Sequence, residues 1–191
     1  STILAVLIGT LAAVGLRRAG RRARATLTGL FLAPMMVPVV VTAVAMYRSA
    51  LDVGLNGTLL GLCLAHAILA IPFVVINVGV SLRGVNESWL RAADGLGAGP
   101  WTVFRTVTLP NILPGIVGGA VFSFISSFDE VVVAIFLAGY SSKTLPVKIW
   151  ESIRLEFTPT VAVAATAMIA LAVLLFIVAQ ATMRKNAAGR A

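Results

Sequence analysis

The sequence predicts an all-α, polytopic membrane helical bundle, and three observations carry that prediction. Hydrophobic residues make up 59% of the 191, charged residues only 12%, and mean hydropathy is +1.01; a soluble domain carries about 45–50% and about 25%. Five apolar runs are each long enough, or nearly so, to cross a hydrocarbon core of about 30 Å, which takes about 20 helical residues. None alternates as barrel strands do, and in lipid a helix is the element that satisfies its own backbone groups.

The first run, "STILAVLIGTLAAVGL" (1–16), is short and starts at Ser1 without a basic leader. Arg17, Arg18, Arg21, Arg22 and Arg24 follow it. Such a basic stretch can bind phosphates, but it lies between two apolar runs with no aromatic platform or recognition helix beside it. Positive charge kept on the cytoplasmic side explains it, and nucleic acid is not an expected partner. The second run, about 28–47, carries Pro34 and Pro38; the third, about 57–80, carries Pro72. Each proline removes a helix hydrogen bond and kinks the chain. The lone cysteine, Cys63, excludes an intramolecular disulfide and a thiolate cluster. His66 stands alone on an apolar helix and is expected to make a helix-packing hydrogen bond. The fourth run, about 112–138, opens with Gly115, Gly118, Gly119 and Ala120, small residues that let helices approach closely. The fifth spans about 159–183.

Orientation follows from the basic residues. The loop at 17–25, the loop at 81–109 with Arg83, Arg91 and Arg105, and the tail with Arg184, Lys185 and Arg190 share one side if five spans alternate. That side is expected to be cytoplasmic, which puts the C-terminus inside. The stretch at 139–158 faces out and balances Lys143, Lys148 and Arg154 against Glu151 and Glu156. Tyr140 and Trp150 there are expected interfacial anchors. Ser1 then lies outside, the expectation being that a sixth span precedes it.

The longest inner loop is readable in detail. Asn86 can cap a short helix with Glu87 in its first turn. Trp89, Leu90 and Ala93 fall on one side, and Glu87, Arg91 and Asp94 are polar. Gly95, Gly97 and Gly99 end that helix and turn the chain. A second amphipathic piece follows, with Trp101, Phe104 and Val107 at helical spacing, and "TLPNILPG" leads into the next span. A short transverse helix between glycine turns is a knob for a cytoplasmic partner.

Here the residues resemble a family. The permeases of binding-protein-dependent ABC importers carry a loop motif of Glu-Ala-Ala, three residues, Gly, nine residues, then Ile-x-Leu-Pro. Ala92, Ala93, Gly97, Val107, Leu109 and Pro110 stand at those positions with the spacing intact; Arg91 replaces the Glu. The stretches "LAHAILAIPFVV", "RGVNESWLRAADGLGA", "SFISSFDEVVVAIFLAG" and "TLPVKIWESIRLEFTPTVAVAAT" are similar to the polyamine (spermidine/putrescine) branch of this MetI-like family, its PotC-like subunit. The resemblance implies a single transmembrane permease domain over 1–191, with a coupling loop at 81–110, from a family core of six spans. It implies a PotB-like second permease, two cytoplasmic ATPase subunits and an external substrate-binding protein. Glu87, Trp89, Leu90, Arg91, Ala92, Ala93, Asp94, Gly97, Leu109 and Pro110 would then couple to the ATPase. No GxxxxGK[ST] occurs, so ATP and Mg would be bound by the partner ATPases and this chain would hold no cofactor and no metal.

For the transport path, Asp129 and Glu130 are the sharpest candidates, acids placed near the middle or outer half of the fourth run. A charge there is costly, about 2.5–3.5 kcal/mol on insertion scales, and usually faces a bundle interior or a watery cavity. On a continuous helix the two would point about 100° apart, so one faces the path. Ser123 and Ser126 join them as path-lining candidates, with Ser127 and Asn77 as further polar groups. Counter-charge to a cationic polyamine and a structural bond to a partner subunit both remain open. Two rival functions also remain: the same importer with another cargo (iron, thiamine, phosphonate or an opine-type compound), and an ion-coupled secondary transporter, against which the coupling loop and the lack of a visible repeat weigh.

Overall fold

The computed structural model describes residues 1–155 and 159–188, and every regular element among them is helical. Glu156 and Arg190, noted above, lie outside the described residues.

Helix α1 (Thr2–Arg18) ends at the basic loop. Its last carbonyls are covered by Arg24, which donates from Nε to the Leu16 carbonyl (2.9 Å) and from Nη2 to that of Arg17 (2.6 Å). Cationic groups there also oppose the helix dipole. Helices α2 (Arg21–Met36) and α3 (Val39–Asp52) share the second apolar run. They are not one straight span, because the chain bends by 102° between them. Val37, the residue before Pro38, takes the extended conformation that a following proline imposes (ψ 137°). Pro34 and Pro72, by contrast, sit inside α2 and inside α4 (Leu59–Arg83), which run on through them.

The inner loop holds α5 (Glu87–Gly95). After it, α6 (Pro100–Val103), a π-turn (Phe104–Thr108) and α7 (Leu109–Phe128) make one 29-residue rod, about 43 Å long at 1.5 Å per residue. The second amphipathic piece is therefore the start of a span and not a separate loop helix. The fourth apolar run also differs from the expectation: it breaks after Phe128 and resumes as α8 (Val132–Leu137). A 3-10 turn, α9 (Leu145–Leu155) and α10 (Pro159–Ala188) complete the chain.

By length and composition α4, the Pro100–Phe128 rod and Pro159–Val178 can each cross a membrane, and the bent α2–α3 pair is long and apolar enough to add a fourth crossing if it acts as one broken span. Helix α1, at 17 residues, is about 25 Å long and falls short of a full crossing.

Two apolar cores hold the bundle. One gathers Ala5 and Ala13 of α1, Val74 and Val78 of α4 and Ile112 of α7. Its helices lie almost backbone to backbone, since a Cβ on Gly9 would come within 2.6 Å of Val74 Cβ and one on Gly115 within 2.6 Å of the Asn77 carbonyl. The second core joins Ala43 and Ala50 of α3, Leu62 and Ala65 of α4, and Val133 and Leu137 of α8. At the end remote from α5, the α3–α4 turn and the end of α8 are stitched together. The Gly57 amide donates to the Leu137 carbonyl (3.0 Å), and a Cβ on Gly139 would fall within 3.0 Å of Gly57 Cα.

Candidate coupling helix and transport path

Helix α5 is closed at both ends by its own sequence. Asn86 Oδ1 accepts from the Ser88 amide at 2.9 Å, which satisfies one of the free N–H groups of the first turn. At the other end the Ala98 amide donates to the Ala93 carbonyl (3.1 Å) and the Gly97 amide to that of Asp94 (2.9 Å). This is a Schellman closure, and its turning residue, Gly97, sits at φ +75°. The glycine of the loop motif is thus where the backbone needs it.

The helix presents a mixed surface. Leu90 packs onto the first core and Ala93 is half-buried. Trp89 (52%), Leu96 (88%) and Trp101 (70%) are exposed, and Ala92 is open beside them. Trp89, Leu96 and Trp101 therefore leave this part of the loop with exposed apolar side chains. Arg91 lies 3.4 Å from Glu87 one turn back, both largely exposed, so the residue that replaces the motif's Glu finds its partner on its own helix. Asp94 is exposed, and with Arg17, Arg18, Glu87 and Arg91 it lines a cleft between α5 and the end of α1. The first two basic loops therefore share one end of the bundle with α5.

The link from α5 into the membrane carries a feature that sequence reasoning missed. At the π-turn the Leu109 amide bonds to the Phe104 carbonyl, five residues back. Side chains cover neighbouring carbonyls: Thr106 Oγ1 donates to Thr102 (2.7 Å) and Asn111 Nδ2 to Val107 (2.7 Å). Pro110, which brings no N–H, follows directly, and a residue without a donor favours such a widened turn. Leu109 packs onto the first core beside it, and Pro110 is exposed.

At the far end of α7 the acids do not share a helix. Asp129 ends α7 and is exposed, whereas Glu130 is half-buried and accepts the Val133 amide on Oε1 at 2.9 Å. Glu130 thereby caps the first turn of α8, and the expected 100° divergence does not apply. Ser123 is fully buried, with no partner for its hydroxyl among the described residues, and Ser126 is half-buried. Ser127 ties the break to the rest of the bundle. His66 Nδ1 lies 3.1 Å from its carbonyl and 3.0 Å from its Oγ, which in turn meets Ser1 Oγ at 2.8 Å. A carbonyl only accepts, so in this bond Nδ1 carries the proton and Nε2 is left as a buried acceptor with no partner among the described residues. The expected helix-packing bond of His66 is present, and its partner is the carbonyl freed by the break in α7. Among the described residues no three His, Cys, Asp or Glu side chains come together as a metal site.

The comparisons with known proteins decide the family. Residues 5–186 match the family described as "Binding-protein-dependent transport system inner membrane component". The chain belongs to that family. It is 36% identical over 183 residues to the spermidine/putrescine transport system permease PotC of Haemophilus influenzae, covering 96% of this chain and 71% of that protein. It is 32% identical over 169 residues to the putrescine transport system permease PotI of Escherichia coli strain K12, covering 85% and 60%. The fold matches the inward-facing MetNI methionine ABC transporter, with a TM-score of 0.77 at 21% identity over 97% of this chain and 88% of that one. This family member is thus a multi-pass inner-membrane permease subunit of an ABC importer, and hydrolysis falls to a separate subunit.

Proposed function

We propose that this permease imports polyamines handed over by an external binding protein, working with a PotB-like second permease and two cytoplasmic ATPases. The observation that supports the mechanism is the rod from Pro100 to Phe128. One end begins at Pro100, directly after the Gly97 closure of α5, and the other stops before Asp129 and Glu130. Helix α5 docks in the ATPase with Trp89, Ala92 and Leu96 as its apolar contacts. Closure of the ATPases on ATP displaces α5, and a continuous helix carries that displacement across the bilayer because its backbone bonds resist bending. The break at residues 129–131 then moves relative to α8.

The basic end carrying Arg17, Arg24, Arg83 and Arg91 faces the cytoplasm in this reading, with the C-terminus on the same side. Asp129 stands at the far end with its carboxylate exposed, a counter-charge for an ammonium group arriving from outside. The naming of PotC and PotI as polyamine permeases supports the cargo.

The test is ATPase activity of the four-subunit complex in nanodiscs with its binding protein. Spermidine or putrescine should raise turnover over the ligand-free rate. An assembled complex that hydrolyses ATP but ignores both amines overturns the cargo, and failure of any ATPase to bind the permease overturns the coupling role of α5.

A further inference from the structure

We propose that the groove between α1, α2 and α4 is a binding site for an anionic phospholipid of the cytoplasmic leaflet; this rests on the orientation given above. The groove encloses about 620 Å³ and opens at the basic end of the bundle. Arg17, Arg24 and Arg83 line its mouth, and Glu87, its one acid, lies against Arg91 at 3.4 Å. Two of the arginines are held in place by backbone carbonyls. Arg24 is fixed on Leu16 and Arg17, and Arg17 reaches the Val85 carbonyl at 3.5 Å. The exposed guanidinium of Arg83 makes no side-chain hydrogen bond or ion pair among the described residues. Guanidinium groups gathered in this way match a phosphodiester, which accepts their paired N–H groups.

Away from the mouth the walls are apolar: Leu32 of α2, and Ile76 and Val80 of α4. Ile76 is seven residues from Arg83 along α4, about 10 Å, so the apolar part runs well into the bilayer. A free phosphate fills only the mouth of such a groove. An acidic loop of an ATPase reaches the mouth but not walls inside the membrane. A molecule with an anionic head and an acyl tail matches both parts, as in basic pockets between transmembrane helices elsewhere. Gly79 faces open space on this wall, since a Cβ there would meet nothing within 4 Å.

The test uses the assembled complex in nanodiscs holding photoactivatable phosphatidylglycerol or phosphatidylcholine, with crosslinks mapped by mass spectrometry. Phosphatidylglycerol should label peptides around Leu32, Ile76 and Val80 in preference to phosphatidylcholine. Arg83→Gln should weaken that labelling about fivefold, the effect of one basic residue at an anionic surface. Gly79→Leu, which puts a side chain into the groove one turn from Arg83, should abolish it. Equal labelling by the two lipids, or labelling that survives both substitutions, overturns the proposal. Labelling that rises when the ATPase subunits are stripped assigns the mouth to the ATPase and overturns it as well. Polyamine-stimulated hydrolysis measured on the same samples keeps a failure of this site distinct from a failure of the transport reading.

Discussion

The left-handed turn at Gly97 allows a clean test of whether the geometry of α5 matters for coupling. Gly97 sits at φ +75°, and a Cβ added there would meet nothing within 4 Å. Gly97→Ala therefore introduces no clash, and its whole cost is conformational. A left-handed backbone costs a residue with a Cβ about 1–2 kcal/mol, which lowers the population of the closed α5 end by roughly 5–30-fold. Asn tolerates that region better, through local hydrogen bonding by its short side chain, so Gly97→Asn should recover much of the loss. Gly95→Ala is the matched control. It lies inside α5, has open space around it, and should gain up to about 1 kcal/mol of helix propensity. The assay is cargo-stimulated ATPase turnover in proteoliposomes, normalised to assembled complex. The expected order is Gly95→Ala at or above wild type, then Gly97→Asn, then Gly97→Ala. Equal activity of Gly97→Ala and wild type, or an Asn variant as impaired as the Ala variant, would refute the reasoning.

Further outcomes follow from the same geometry. Gly115→Ala forces a methyl against the Asn77 carbonyl and the Ser81 side chain and should cost about 1–3 kcal/mol, read as a lower thermal unfolding midpoint, while Gly15→Ala, inside α1 with open space around it, should not lower the midpoint and should gain up to about 1 kcal/mol of helix propensity. Asp129→Asn should leave assembly intact and raise the KM for polyamine uptake, since that side chain is exposed and holds no element in place; unchanged uptake removes Asp129 from the path. Glu130→Ala should instead lose about 1 kcal/mol of stability with the α8 cap, and Glu130→Gln, which keeps an acceptor, should not. Arg91→Ala should alter stability by no more than about 0.5 kcal/mol, because an exposed i,i+4 pair is worth little. A drop in ATPase coupling in that variant would then report a contact with the ATPase.

Much of α5 could be read from residues alone, because its determinants are local: a capping Asn, an acid in the first turn, and a glycine two residues past the end. The bend between α2 and α3 was half legible. Pro34 and Pro38 announced a kink, but only Val37, forced extended before Pro38, converts it into a 102° corner. The break after Phe128 left no local trace, since "SSFDEVVV" contains neither glycine nor proline. It is set by tertiary contacts, with Val133 and Leu137 drawn into the α3 core and the freed Ser127 carbonyl taken by His66 from another helix. For the same reason Asp129 and Glu130 were found as residues but given the wrong relationship. The π-turn escaped notice because helical periodicity does not register one extra residue in a turn; Pro110 directly after it was the available signal.

The stitch between Gly57 and Gly139 bears on how such a protein can open. Backbones in direct contact leave no side chains to slide over one another and no slack in the connecting loops. The α3–α4 turn and the end of α8 therefore travel as one block, like two pages held by a staple. Any outward opening has to occur around that block and not through it. A crosslink placed across the stitch should accordingly leave the transport cycle running, whereas one that bridges the gap between Phe128 and Val132 should stop it.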